Sequence, residues 1–135
     1  MIESGRRDTS YLTSLIASRR GAIILSGVNG AGKTILTIQI VAKIMMEGRR
    51  CIYVVTTMSP QSLIETASSI SIDLRDFIEK GLFVIVDCYS RFIGSSTIAR
   101  YTLGPESNLL QLRETILTAA YDMESYHLVI DDLST

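Results

Sequence analysis

The sequence predicts a three-layer α/β sandwich with a mostly parallel sheet, and three observations support this prediction. Short apolar runs alternate with segments of helical periodicity, as strands and crossover helices do in parallel sheets. These runs lack polar alternation, which is typical of strands covered on both faces. Hydrophobic residues make up 47% of the 135 residues, enough for a substantial core. We therefore expect one domain over residues 1–135.

The first half of the chain contains two predicted helices and two predicted strands. Residues 9–18 have a helical stripe of leucine and isoleucine and are expected to form a short helix. Residues 22–26 form the first predicted strand. A helix is expected from Lys33 to about Glu47, with Gly48 as its C-terminal stop. Residues 51–55 are the second predicted strand.

The next helix is predicted from its capping residues. Ser59 is a suitable N-cap and Pro60 a suitable first helical residue. Three apolar residues are expected to form its inner face: Leu63, Ile64 and Ala67. Asp73 then caps a shorter helix that ends at Gly81.

The last part of the chain is predicted to be strand, loop, helix and strand. Residues 82–86 form the third strand, and residues 90–104 are a loop. Pro105 and Glu106 are expected to start a long helix. One side of that helix is apolar: Leu109, Leu112, Ile116 and Ala120. Residues 127–131 form the fourth strand.

Composition limits the function classes. The net charge of −1 provides no global attraction to nucleic acid or anionic lipid. Cys51 and Cys88 lie in apolar runs, which indicates buried thiols in a reducing compartment. With His127 as the single histidine, the usual zinc ligand sets cannot be assembled. The N-terminus lacks the apolar stretch of a signal peptide and no run is long enough to span a bilayer, so we expect a cytoplasmic protein.

Eight consecutive residues match the phosphate-binding loop pattern G-x-x-x-x-G-K-[ST]: Gly27, Val28, Asn29, Gly30, Ala31, Gly32, Lys33 and Thr34. Glycines let the backbone point its N–H groups at phosphate oxygens, and the following helix directs its positive end at the same anion. We expect Lys33 to reach the β- and γ-phosphates and the Thr34 hydroxyl to hold Mg²⁺. The alternative is a glycine-rich turn that only joins a strand to a helix.

The fourth strand ends in a carboxylate, 97 residues after Thr34. A buried strand that delivers an acid beside the phosphates is a Walker B-type pattern, so Asp131 is the candidate for the Mg²⁺ shell. Asp131 and Asp132 could instead form a turn. Asp87 ends the third strand in the same manner and is either a rival Walker B acid or a strand-end cap.

The chain resembles the RecA superfamily of phosphate-loop ATPases, and within it the KaiC-like ATPases, over nearly its whole length. GVNGAGKT is followed by GRRCIYVVTT, similar to that family's "vyvt" strand. DLRDFIEKGLFVIVDCYS is similar to its "d…g.l.iiDa.s" segment. SNLLQLRETI followed by YHLVIDDLST is similar to its helix and Walker B strand. The resemblance implies a RecA-like core that binds ATP and Mg²⁺.

The chain departs from this family at the end of the second strand. The family usually has one or two glutamates there, which orient and activate the attacking water. Thr56 and Thr57 occupy these places, and a hydroxyl cannot accept a proton near neutral pH. Glu65 lies too far along the next helix to replace them. Asp132 is a candidate catalytic acid, and its alternative is a solvated turn residue.

The resemblance also implies a strand after Walker B that inserts between the Walker B strand and the phosphate-loop strand. The sequence ends four positions after Asp131, so the sheet is expected to be cut short after the Walker B strand. Three explanations stay open. The chain is the N-terminal part of a longer protein, a partner chain fills the gap, or a rearranged sheet pairs the first strand directly with the fourth.

The resulting interpretation is an ATP-binding, KaiC-like regulatory or assembly switch with weak or absent hydrolysis. The alternatives are an active ATPase that uses Asp132, a small-molecule kinase, or a recombinase-like ATPase that handles DNA. The resemblance implies homo-oligomers with nucleotide at the interface, where Arg91 and Arg100 are candidates to approach a neighbour's phosphates. Nucleic acid is a disfavoured partner because the chain is not basic. GTP is disfavoured because no N-K-x-D motif occurs.

Overall fold

A computed structural model of the chain describes residues 2–3, 21–26, 31–121, 123 and 125–131. Within these residues six parallel strands form one sheet, in the order β1-β2-β6-β3-β4-β5. The strands are β1 Ile2–Glu3, β2 Gly21–Ser26, β3 Cys51–Val55, β4 Phe83–Asp87, β5 Tyr101–Thr102 and β6 His127–Asp131. The predicted α/β class with a parallel sheet is confirmed. The four predicted strands are the four long ones.

Four α-helices connect the described strands. They are α1 Ala31–Met46, α2 Pro60–Ser69, α3 Leu74–Glu79 and α4 Leu109–Ala119. The helix predicted over residues 9–18 lies outside the described residues. No helix in the described part of the chain is long and apolar enough to cross a membrane.

Local capping signals set the ends of the first three helices, as predicted. The Ser59 hydroxyl accepts a hydrogen bond from the Ser62 N–H at 3.1 Å, which caps α2. Asp73 accepts one from the Asp76 N–H at 3.2 Å, which caps α3. Gly48 follows α1 with a φ of 82°, a left-handed conformation that glycine adopts without steric cost.

The predicted start of the last helix at Pro105 and Glu106 is wrong. These two residues form a turn, and α4 begins at Leu109. Asn108 and Gln111 form a capping box there: the Gln111 N–H donates to the Asn108 side chain at 2.9 Å, and the Asn108 N–H donates to the Gln111 side chain at 2.7 Å. These two reciprocal hydrogen bonds satisfy two free N–H groups at the start of the helix. A proline side chain has no acceptor atom and cannot cap a helix in this way.

The interpretation of residues 90–104 as a loop is incomplete. A short 3₁₀ helix covers Ser90–Ile93, and the two-residue strand β5 pairs with the end of β4. A strand of two residues is too short for alternating hydrophobicity to show in the sequence.

Two apolar clusters cover the two faces of the sheet. On one face, α1, α2 and α3 pack against the odd-numbered residues of β3, with Ile38, Leu63 and Leu74 buried there. On the other face, α4 packs through Ile116 against the even-numbered residues of β3. Since successive strand residues point to opposite faces, β3 contributes to both clusters and all five of its residues are buried. The three-layer arrangement is confirmed.

Strand β2 pairs directly with β6, from Gly21 opposite His127 to Ile24 opposite Ile130. The other edge of β6 pairs with β3. No strand therefore lies between the two in the described residues. The sheet is therefore rearranged in the way that was the last of the three explanations: the first predicted strand, β2, pairs directly with the fourth, β6. The backbone groups of both strands are thereby paired, as burial requires.

Candidate functional site

The candidate site lies where parallel strands reach their carboxyl ends. Asp131 is the last residue of β6 and lies in register with Val55, the last residue of β3. Its side chain is 1% exposed. In open α/β sheets, ligands bind at this edge. The predicted metal ligand is therefore on the edge where a nucleotide site is expected.

Lys33 and Thr34 approach Asp131 from the first turn of α1. The Lys33 ammonium nitrogen lies 3.7 Å from Oδ1 of Asp131, and the Thr34 hydroxyl lies 3.4 Å from Oδ2. All three side chains are buried. Since α1 also has its positive dipole end here, the site combines a cation, a hydroxyl and a carboxylate at a helix start. Lys33 and Thr34 of the phosphate-loop pattern thus lie beside Asp131 of the Walker B-type strand.

Tyr53 belongs to the same cluster and was not predicted as a site residue from the sequence. Its hydroxyl donates a hydrogen bond of 2.7 Å to Oδ2 of Asp131. Burial raises the pKa of Tyr53 well above its ordinary value, and the negative charge of Asp131 raises it further. A signal was available, because the hydroxyl of a tyrosine within an apolar strand usually needs a buried partner.

Thr56 and Thr57 follow β3, where the resemblance places catalytic carboxylates. The Thr56 N–H and hydroxyl both donate to the main-chain carbonyl of Asp131, at 3.0 and 3.2 Å. The side chain of Thr57 is exposed. Thr56 therefore joins the end of β3 to the end of β6 through these two hydrogen bonds to the Asp131 carbonyl.

The donor set around Asp131 fits Mg²⁺. No described residue donates a hydrogen bond to Oδ1 of Asp131, although that oxygen is buried. Oδ1 and the Thr34 hydroxyl are hard oxygen ligands, and Mg²⁺ is commonly held by one or two protein groups together with substrate phosphates. Asp131 and Thr34 are therefore the residues that would hold the ion. Among the described residues, no group of three or more His, Cys, Asp or Glu side chains forms a metal site.

Asp87 acts as the strand-end cap. Its Oδ1 accepts hydrogen bonds from the N–H groups of Tyr89 and Ser90, at 2.8 and 2.9 Å. Burial would raise the pKa of Asp87, but these N–H groups and the nearby hydroxyls of Ser90 and Thr97 outweigh burial and lower it. The carboxylate is thus used to hold the turn after β4, which favours the cap over the rival Walker B role.

Several predicted site residues lie outside the described residues, namely Gly27, Val28, Asn29, Gly30 and Asp132. Of Ala31 only the backbone is described, as the first residue of α1, and Gly32 is exposed in the first turn. The phosphate-loop contacts of these residues and the catalytic role of Asp132 stay predictions.

The two arginines proposed to approach a neighbour's phosphates have partners within the chain. Arg91 forms an ion pair with Glu106, and the Arg100 guanidinium lies 5.7 Å from the centre of the Tyr101 ring. Both contacts lie on the segment after β4.

The two cysteines are free thiols. Cys51 is fully buried, and burial raises its pKa. Cys88 is only half-buried, which corrects the prediction that both are buried, and burial raises its pKa to about 11. Cys51 lies opposite Phe83 at the start of β4, whereas Cys88 follows the end of β4. Cys88 therefore lies five strand residues, or about 16 Å, further along the sheet than Cys51, which is too far for a disulfide.

The parallel α/β core brings Lys33 and Thr34, at the start of α1, to Asp131, at the end of β6. This arrangement defines a domain of the RecA-like ATPase class. The protein-family model described as "ATPase: KaiC" matches residues 16–135. The chain therefore belongs to the KaiC ATPase family, as the sequence patterns predicted.

Relatives of this chain occur in archaea and bacteria. A UPF0273 protein of Pyrococcus horikoshii is 27% identical over 117 residues, which cover 86% of this chain and 47% of the relative. A UPF0273 protein of Thermotoga maritima is 26% identical over 117 residues, which cover 86% of this chain and 48% of the relative. The chain spans about half the length of the curated relatives it matches.

Proposed function

We propose that this domain binds Mg·ATP and acts as a nucleotide-dependent regulatory or assembly switch with weak or absent hydrolysis. The main support is the convergence of Lys33 and Thr34 on Asp131, across 97 residues of sequence. A buried cation and a buried carboxylate at one helix start suit a ligand that carries both phosphate and a metal ion. Membership of an ATPase family favours ATP as that ligand.

Each residue has a distinct role in this proposal. The Lys33 ammonium binds phosphate oxygens by charge. The Thr34 hydroxyl and Asp131 hold Mg²⁺, which neutralises phosphate charge when bound. The backbone N–H groups of the predicted phosphate loop, Gly27 to Thr34, surround the phosphates.

Weak hydrolysis follows from the residues after β3. The hydroxyls of Thr56 and Thr57 cannot take a proton from water near neutral pH, and the Thr56 hydroxyl already donates to the Asp131 carbonyl. Glu65 accepts a hydrogen bond from Gln61 on the exposed surface of α2. These residues therefore provide no general base for the attacking water.

The switch has a physical route through Thr56. Its two hydrogen bonds to the carbonyl of Asp131 join the proposed metal ligand to the segment between β3 and α2. A shift of the Asp131 backbone on nucleotide binding would move this segment, as switch segments do when they contact a bound nucleotide. The family resemblance favours assembly of copies around nucleotide as the output.

Calorimetry with ATP and Mg²⁺ tests binding. We expect binding by the wild-type protein, loss of binding in Lys33→Ala, and unchanged binding in Lys43→Ala, since Lys43 is exposed at the other end of the same helix. Lys33→Arg keeps the buried charge and separates loss of phosphate contact from loss of folding. Absence of binding by folded wild-type protein would disprove the proposal.

Phosphate release and light scattering test the switch. We expect slow or no phosphate release with ATP and Mg²⁺, and a change of molecular mass on ATP addition. Steady release that Asp132→Ala abolishes would instead support the alternative of an active ATPase with Asp132 as its catalytic acid.

A further inference from the structure

We propose that Tyr53 is a positioning residue for the metal site: its hydroxyl holds one oxygen of Asp131 and leaves the other to face Mg²⁺. This inference rests on the proposed function. It assigns a role in metal binding to a side chain outside both the phosphate loop and the Walker B-type strand. Three features support this role: Tyr53 is rigid, the two oxygens of Asp131 have different partners, and the Thr34 contact is the weaker one.

Tyr53 is held rigidly in the middle of the sheet. It is fully buried, and β3 pairs it with Ile85 on one side and with Val129 on the other. Its ring lies edge-on to Phe83, with the ring centres 5.9 Å apart and an interplanar angle of 68°. A side chain enclosed in this way has little freedom to change rotamer. Its hydroxyl is therefore a fixed point beneath the carboxyl end of β6.

The two oxygens of Asp131 have different surroundings. Oδ2 accepts the hydrogen bond of 2.7 Å from Tyr53 and lies 3.4 Å from the Thr34 hydroxyl. Oδ1 receives no hydrogen bond from any described residue and lies 3.7 Å from the Lys33 nitrogen. A hydroxyl bond to a carboxylate is short and strong when it is buried. The Tyr53 bond therefore fixes the rotation of the carboxylate, and Oδ1 is the oxygen left to face a cation.

Thr34 can change partner more easily than Tyr53. Its contact with Oδ2 is 0.7 Å longer than that of Tyr53, so little hydrogen-bond energy is lost when the Thr34 hydroxyl turns to a metal ion. The shorter Tyr53 bond keeps the carboxylate in place during that change. Without it, rotation of the carboxylate would spread both oxygens over several orientations and weaken metal binding.

The variant Tyr53→Phe tests this role, because it keeps the ring and its contact with Phe83 and removes only the hydroxyl. ATP affinity is measured by calorimetry in EDTA and across a Mg²⁺ titration. We expect an unchanged affinity in EDTA and about a tenfold higher Mg²⁺ concentration for half-maximal enhancement, the size expected for one hydrogen bond to a charged group. Tyr101→Phe is the control, since Tyr101 lies on β5 beside Arg100, and should match the wild-type protein.

A double-mutant cycle separates positioning from packing. If Tyr53 acts through Asp131, then Tyr53→Phe has no further effect on Mg²⁺ dependence in an Asp131→Asn background. A purely structural role would lower the thermal midpoint without moving the Mg²⁺ titration. Should Tyr53→Phe alone fail to fold, Tyr53→Phe/Asp131→Asn removes the donating hydroxyl and the carboxylate charge together, and its Mg²⁺ titration must coincide with that of Asp131→Asn.

The outcomes distinguish this inference from the proposed function. If the wild-type protein binds Mg·ATP and Tyr53→Phe has the same Mg²⁺ midpoint, Tyr53 has no positioning role and the proposed function stands. A shift that persists in the Asp131→Asn background also overturns the role. If the folded wild-type protein does not bind ATP, both proposals fail.

Discussion

The ammonium nitrogen of Lys33 lies 3.7 Å from Oδ1 of Asp131, and the two side chains are only 5% and 1% exposed. This ion pair connects the first turn of α1 to the last residue of β6. Burial removes most of the hydration of both charges, so each depends on the other and on nearby hydrogen bonds. The same pair is the centre of the proposed nucleotide site, which couples stability to ligand binding.

Loss of one partner of this ion pair should destabilise the fold. We expect Lys33→Met to lower the free energy of unfolding by about 3 kcal/mol, because the Asp131 carboxylate then lacks its cation. The double variant Lys33→Met/Asp131→Asn should recover a substantial part of that loss. Urea denaturation followed by circular dichroism measures both. If the double variant recovers none of the free energy of unfolding lost in Lys33→Met, the ion pair contributes no coupling energy.

Thr34→Val should weaken the dependence of ATP affinity on Mg²⁺. Valine has nearly the same shape as threonine but cannot bind a metal ion or donate a hydrogen bond to Oδ2 of Asp131. We expect retained ATP binding in EDTA and at least a tenfold weaker enhancement by Mg²⁺, since Mg²⁺ loses one of its few protein ligands. Thr118→Val, on the exposed side of α4, is the control. Equal Mg²⁺ enhancement in Thr34→Val and wild-type protein would contradict the assigned role.

Asp87 should make stability depend on pH. Its pKa is lowered in the folded protein, so its contribution is fully present above the unfolded value of about 3.9 and is lost as the pH falls through the folded value. Asp87→Asn should therefore be less stable than the wild-type protein at pH 7, with a smaller difference at pH 3. Urea midpoints at both pH values measure this. Glu65→Gln, an exposed change on α2, should leave the pH profile unaltered.

Leu63 should be a major contributor to the core between α2 and the sheet. It is fully buried in the apolar cluster with Ile38 and Leu74. Leu63→Ala should lower the free energy of unfolding by about 3 kcal/mol, because it loses apolar burial and leaves a cavity. Leu110→Ala is the matched control, since Leu110 is 58% exposed, and should change stability by less than about 0.5 kcal/mol. Similar losses in the two variants would contradict this packing.

Local signals in the sequence were sufficient for several elements. The caps Ser59 and Asp73 and the stop at Gly48 work through hydrogen bonds or backbone conformations within a few residues, so they could be recognised directly. The same local reasoning failed at Pro105, because a second start signal, the capping box of Asn108 and Gln111, lies three residues further on. Two competing local signals cannot be ranked without their packing.

Lys33, Thr34 and Asp131 could be predicted as site residues from the sequence, because spacing and residue type define both motifs. The Walker B-type pattern also predicted that Asp131 lies beside the phosphate loop. The bond between Tyr53 and Asp131, and the choice of the β2–β6 pairing among the explanations left open, were decided by the tertiary structure. Tyr53 and Asp131 are 78 residues apart. Contacts over such separations depend on strand order and on the packing of both sheet faces, which no local pattern encodes.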